Sequence, residues 1–112
     1  TLMLWGDRIA AKPSIHQQAY SISGCESQVW LKTIRDAEHV HFLIDSDSRF
    51  IKGLAAVLLL NMQDKTPQQL VQFDGKTLFK QLGFDKHLSA SRQNGFYALY
   101  KAMQQHIPHA GD

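Results

Sequence analysis

The chain holds a single cysteine, Cys25, in the stretch Ser23-Gly24-Cys25-Glu26-Ser27-Gln28-Val29-Trp30-Leu31. It follows a glycine, in a short polar turn just before an apolar, strand-like run. Glycine takes a positive φ at little steric cost and suits a sharp turn. A thiol on such a turn is presented outward while its flanking strands hold it still. A reactive thiol needs a thiolate, access and protection between reactions, and a nearby cation favours the first. The candidate cation is Arg92, in Leu88-Ser89-Ala90-Ser91-Arg92-Gln93-Asn94-Gly95. That stretch begins the last predicted helix, whose N-terminus also favours a negative ligand. Gly95 inside the helix points to a close approach there. Plainer readings stand beside these. Most free cysteines are small buried hydrophobes, and a lone arginine is most often a solvated surface cation. The local pattern leaves both readings open.

Six histidines raise the question of a metal or a Cys–His pair. His39 and His41 alternate on one strand face, and His106 and His109 fall near the tail. No tight cluster of histidines and carboxylates accompanies the one cysteine, so no metal site is expected. A thiol hydrolase would need a histidine folded against Cys25, and His16, His41 and His87 are the candidates. Asp45 and Asp47 form a carboxylate pair by spacing, but helix capping explains them better.

The elements that must position these residues come from a chain of 112 residues, 44% hydrophobic and 20% charged, near the average for a globular domain. We expect one domain, residues 1–112, with a real core and no need of disulfides. One cysteine excludes an internal disulfide framework and any multi-cysteine zinc or iron–sulfur site within one chain. A free thiol fits a reducing compartment, so the cytoplasm is expected. The formal charge of +2 carries no basic stripe, so nucleic acid is not expected as a partner. The longest apolar run, Leu54 to Leu60, is too short to span a bilayer. The opening Thr1-Leu2-Met3-Leu4-Trp5 lacks the charged leader of a signal peptide. It starts abruptly on apolar residues, and we expect a natural chain that extends upstream.

Leu2, Trp5 and Ile9 have helical spacing, so residues 1–10 read as the end of a helix closed by Lys12-Pro13-Ser14. Ile15 to Gln18 suits a short helical turn, and Ala19 to Ser23 a short strand. Gln28 to Ile34 is the next predicted strand, with Val29, Leu31 and Thr33 on one face. Arg35-Asp36-Ala37-Glu38 has hairpin-loop length, and His39 to Asp45 returns with Val40, Phe42 and Ile44 on one face. The sum is a small three-stranded antiparallel sheet, which needs helices on one face for stability. Asp45-Ser46-Asp47-Ser48 signals a helix start. The helix it opens, from about Arg49 to Gln63, is apolar around most of its circumference and therefore central. Thr66-Pro67-Gln68-Gln69 is a capping box with proline at the first helical position. Asp74 opens another helix, with Leu78, Phe79 and Leu82 inward and Gly83 as its stop. Phe84 to Leu88 reads as a connector. Ser89 or Ser91 caps a last helix running to about His106, with Phe96, Leu99, Tyr100 and Met103 inward.

Gly24-Cys25-Glu26-Ser27-Gln28-Val29-Trp30-Leu31 resembles the cysteine motif of the SufE/CsdE family of sulfur-acceptor proteins. Three further blocks agree in order. Asp45-Ser46-Asp47-Ser48-Arg49-Phe50-Ile51-Lys52-Gly53-Leu54 is similar to the family's acidic turn and following helix. Asp64-Lys65-Thr66 stands for its Gly-Lys-Thr, followed by a similar Leu78-Phe79 to Leu82-Gly83 block. Leu88-Ser89-Ala90-Ser91-Arg92 with Asn94-Gly95 resembles its C-terminal motif. The resemblance runs from about Ser23 to Met103. Family members carry a longer N-terminal helical region. Glu26 is as in the CsdE branch, while Ser27-Gln28 is closer to the SufE branch.

The resemblance implies an α+β, SufE/IscU-like fold, a small three-stranded antiparallel sheet flanked by helices, and a carrier rather than an enzyme. A pyridoxal-phosphate cysteine desulfurase, SufS- or CsdA-like, would hold sulfur as a persulfide, and Cys25 would accept the outer sulfur. The sulfur would pass to a scaffold for iron–sulfur cluster assembly or to another acceptor. The chain itself would carry no cofactor. Cys25 is the residue carried over, with Gly24, Glu26 and Arg92 as supporting residues. Two readings compete: a stand-alone Cys/His thiol enzyme, and an interaction module whose cysteine is incidental.

Overall fold

The computed structural model describes residues 13–22 and 27–107. The helix expected over residues 1–10 and the turn at Gly24–Glu26 lie outside the described residues. Two 3₁₀ turns, Pro13–Ile15 and Gln18–Tyr20, lead into an antiparallel hairpin of β1 (Val29–Asp36) and β2 (His39–Ser46). Five helices follow: α1 (Arg49–Met62), α2 (Pro67–Gln72), α3 (Gly75–Gln81), α4 (Phe84–His87) and α5 (Ala90–Gln105). The chain is therefore α+β, with a two-stranded sheet among the described residues where three strands are expected. The missing strand has a local cause. Tyr20 N–H donates to Gln17 O and Ser21 N–H to Gln18 O, so Ala19 and Tyr20 are used up in a 3₁₀ turn. What remains of the pairing is one bridge, Ser21 to Trp30.

The hairpin register pairs Val29 with Ser46 and Asp36 with His39. The strands run further than expected, leaving a tight turn of Ala37 and Glu38 rather than a four-residue loop; Ala37 takes a φ of 55°. The outer edge of β2 is closed without another strand. Val40 exchanges backbone bonds with Asp64 and Lys65, at 3.0 and 2.7 Å. The Gln63 amide accepts from Phe42 N–H at 2.7 Å and donates to Phe42 O at 2.9 Å. A side-chain amide thus stands in for a backbone peptide, leaving few of the edge's polar groups unpaired.

One sheet face buries Val29, Leu31, Val40, Phe42 and Ile44 against Ile51, Leu54, Leu58 and Met62 of α1 and Phe96, Leu99 and Met103 of α5. Each such side chain contributes roughly 1.5–3 kcal/mol on burial. Gly95 permits close packing of α5 on α1, since a β-carbon there would stand 3.1 Å from Ile51 Cδ1. Phe79 meets Phe84, Phe96 and Tyr97 with ring centroids 4.9–5.8 Å apart. The expected helix starts hold: Ser48, Thr66, Asp74 and Ser89 cap α1, α2, α3 and α5.

Two details differ from the sequence reading. Leu82, expected inward, is 39% exposed, because Gly83 turns the chain at a φ of 74° one residue later. Phe84 to His87 forms one helical turn rather than an irregular connector, and this drives Phe84 into the aromatic cluster.

Candidate functional site

The strand that follows the cysteine motif is anchored at its first residues. Gln28 N–H donates to Asp47 Oδ1 at 3.1 Å, and Gln28 O accepts from the Ser46 hydroxyl at 2.6 Å. The Gln28 side-chain amide reaches back across the motif to Ser21 Oγ at 2.9 Å. Beside it, Ile22 N–H donates to Val29 O at 2.9 Å. Residues on both sides of 23–26 are therefore tied to each other and to the turn before α1.

This corrects the reading of Asp45 and Asp47 as helix caps. Ser48 is the cap of α1; its hydroxyl accepts from Ile51 N–H. Asp47 holds Gln28, and Ser46 takes both Gln28 O and, as acceptor, Ser48 N–H. Asp45 is 2% exposed and faces His16 Nε2 at 2.6 Å and Lys52 Nζ at 3.4 Å. It also accepts from Ser46 N–H. A buried carboxylate needs such partners, because unpaired it would be strongly disfavoured. The His16 ring lies flat on Trp30, centroids 3.8 Å apart, and Trp30 is the cross-strand neighbour of Asp45.

A pocket of about 200 Å³ opens beside this anchored region. Ser27 lines it from the cysteine motif, Ser48 and Phe50 from the start of α1, and Ser89, Ser91 and Arg92 from the start of α5. The first turns of two long helices and one guanidinium thus border the same space. Helix N-termini carry partial positive charge, and arginine a full one, so the pocket suits an anion. The Arg92 guanidinium lies over the Phe50 ring, 4.4 Å from its centroid.

Of the residues singled out from sequence, Cys25, Gly24 and Glu26 lie outside the described residues. Arg92 is exposed and borders the same pocket as Ser27. None of the three candidate histidines lines that pocket: His16 is on Asp45, His41 on Asp64 at 3.0 Å, and His87 beside Gly83. Among the described residues no group of three or more His, Asp or Glu is placed to hold a metal ion. None of the helices described is long and apolar enough to cross a membrane. Sequence reading missed Phe50 and the roles of Ser46 and Asp47. The signal was present as a run of short polar acceptors longer than one helix cap requires.

The Fe-S metabolism associated domain of the SufE family matches residues 1–107. The chain belongs to the SufE family. It is 39% identical over 104 residues to the sulfur acceptor protein CsdE of Escherichia coli strain K12, covering 91% of this chain and 71% of that one. In fold it is similar to the solution structure of a hypothetical protein from Thermus thermophilus, with a TM-score of 0.75 at 12% identity. That superposition covers 93% of this chain and 76% of the other, and shows that the SufE-family chain shares its fold.

Proposed function

We propose that this protein is a sulfur acceptor that takes persulfide sulfur onto Cys25 from a cysteine desulfurase in the cytoplasm, stimulates it, and hands the sulfur on for iron–sulfur cluster assembly. The observation that carries the reading is the 39% identity to a sulfur acceptor protein across 91% of the chain. The pocket geometry supports it. Ser27 lines the pocket, and Cys25 stands two positions before it; two residues reach at most about 7 Å.

The chemistry is a thiol–persulfide exchange. The Cys25 thiolate attacks the outer sulfur of the desulfurase persulfide, and the bond between the two partner sulfurs breaks. The desulfurase cysteine leaves as thiolate, and Cys25 carries the persulfide. No external oxidant or reductant enters. The rate follows the thiolate fraction of the attacking group and its access, as in disulfide exchange. Positive charge around the pocket favours both the attacking thiolate and the persulfide anion that replaces it. Pyridoxal phosphate belongs to the partner in this scheme.

The test mixes the protein with a cysteine desulfurase and free cysteine and reads the intact mass. The wild-type chain is expected to gain one sulfur and to raise desulfurase turnover; Cys25→Ser is expected to do neither. A Cys25→Ser chain that still gains sulfur, or still stimulates fully, rules the reading out.

A further inference from the structure

In an antiparallel pair, residues directly opposite each other either exchange backbone bonds or both point away from the ladder. Val40 and Phe42 spend their backbone groups away from β1, on Asp64, Lys65 and the Gln63 amide. Thr33, which lies opposite Phe42, therefore points outward from β1, and so does Leu31, opposite Ile44. Val29 continues the series and accepts from Ile22 N–H across this outer edge. The chain forms a stub of a third strand there, with Ser21 opposite Trp30, but Gln18–Tyr20 coil into a 3₁₀ turn instead of lying along Leu31 to Thr33. The outward N–H and C=O groups of Leu31 and Thr33 meet no backbone partner among the described residues. The Thr33 hydroxyl, shielded from solvent, has no partner among them either. A groove of about 410 Å³ opens at this place, lined by Tyr20, Ser21 and Leu31 and, from α5 and the residue after it, by Lys101, Gln105 and His106. Its described lining holds no carboxylate. Lys32 stands over the Tyr20 ring, 5.5 Å from the centroid.

We propose that the outer edge of β1 is a docking site for an extended, acidic segment of a partner protein, which adds as a strand along Leu31 to Thr33. The occupant is extended because the groups on offer are backbone groups two residues apart, the repeat of a strand ladder. It is acidic because the charges around the groove are cationic. A strand laid here projects alternate side chains toward α5, where Lys101 and His106 stand, and toward the face that carries Lys32. Lysine at a sheet edge resists pairing in general, and a carboxylate opposite turns that resistance into attraction. Main-chain bonds then supply affinity and charge selects the partner. The inference is independent of the sulfur-acceptor reading.

The probe is a blocked hexapeptide, Thr-Val-Glu-Val-Glu-Thr, titrated to about 2 mM against the isotope-labelled full chain, a range that reaches weak peptide affinities. The Leu31 and Thr33 amide signals are expected to shift, and their hydrogen exchange to slow. The same peptide with lysine in place of both glutamates is expected not to bind, and neither is one N-methylated at its four central residues. Lys101 is exposed, and Lys101→Glu is expected to weaken binding about two- to fivefold, the range of one exposed charge contact. Thr33→Pro removes an outward N–H without touching the ladder to β2, and is expected to weaken binding further. Urea midpoints show whether each variant folds, and Lys101→Glu serves if the proline variant does not. Absence of any shift at Leu31 and Thr33 over the titration overturns the proposal. Equal binding of the lysine peptide, or unchanged binding by Lys101→Glu, overturns it by leaving charge no part. Equal binding of the N-methylated peptide overturns it by leaving the backbone none.

Discussion

Two regions of the domain are held by different forces. In one, Phe79, Phe84, Phe96 and Tyr97 close on each other with almost no hydrogen bonding between side chains. In the other, Ser21, Gln28, Ser46, Asp47 and the Asp45–His16–Lys52 group hold the roots of the cysteine motif by polar contacts. Apolar packing is non-directional and scales with area. Hydrogen bonds add little net stability each but fix geometry, because an unpaired buried group is costly. The aromatic region therefore supplies stability, and the polar region fixes where residues 22 and 27 emerge.

The largest effect should come from the aromatic region. Phe96 is fully buried. Phe96→Ala is expected to cost about 3–5 kcal/mol in urea unfolding, from lost burial and the cavity left behind. At a temperature where the variant remains folded, it should still accept sulfur at close to the wild-type rate. A variant that is folded yet loses acceptance would erase the division of labour. Next comes the polar region. Asp45→Asn keeps the shape but removes the charge that His16 and Lys52 face, and is expected to cost roughly 1–3 kcal/mol. Here sulfur acceptance should fall even where the chain is fully folded, because the strand start beside Ser46 is no longer fixed. Loss of stability with unchanged acceptance would reduce Asp45 to a purely structural group.

A smaller effect is expected at Asp47, which is exposed and holds one backbone N–H. Asp47→Ala should lower stability by no more than about 1 kcal/mol. It should slow persulfide loading by a larger factor than that loss of stability implies. Loading that tracks the folded fraction alone would show that Gln28 is adequately held by Ser46 and Ser21.

Much of this division was legible in the sequence, for identifiable reasons. Periodicity placed β1, β2 and α1 because each buries one face, and burial imposes the period. The caps at Thr66, Asp74 and Ser89 were readable because capping is local chemistry within four residues. Most of what failed was non-local. Asp45 looks like a cap until β2 is seen to deliver it beside His16, 29 positions earlier. Ala19 to Ser23 has the alternation of a strand, but a competing 3₁₀ turn claims its first half. The Phe50–Arg92 contact joins two helices 42 positions apart in the chain and leaves no trace in either local pattern. The four ordered motif blocks carried the family because they sample the chain at several places at once.

Acidity offers a finer probe of the aromatic region, which also has polar fastenings at its rim. Asp74 caps α3, and Gly75 behind it packs so tightly that a β-carbon would stand 2.7 Å from the Tyr100 ring. The Thr77 hydroxyl donates to the Asp74 carboxylate, as do Thr77 and Lys76 N–H, and these bonds hold its pKa below the ordinary 3.8. A depressed carboxylate stabilises the fold above its unfolded-state pKa, and the contribution is lost as pH falls through the folded-state value. Wild type should therefore be more stable than Asp74→Asn near neutrality, with the gap narrowing only below about pH 4. Urea midpoints measured for both chains between pH 7 and pH 3 read this directly. The absence of a gap at every pH would mean the fastening is geometric, with asparagine capping as well as the carboxylate does. A gap that closes would show that the rim of the apolar region draws stability from the ionised Asp74 carboxylate.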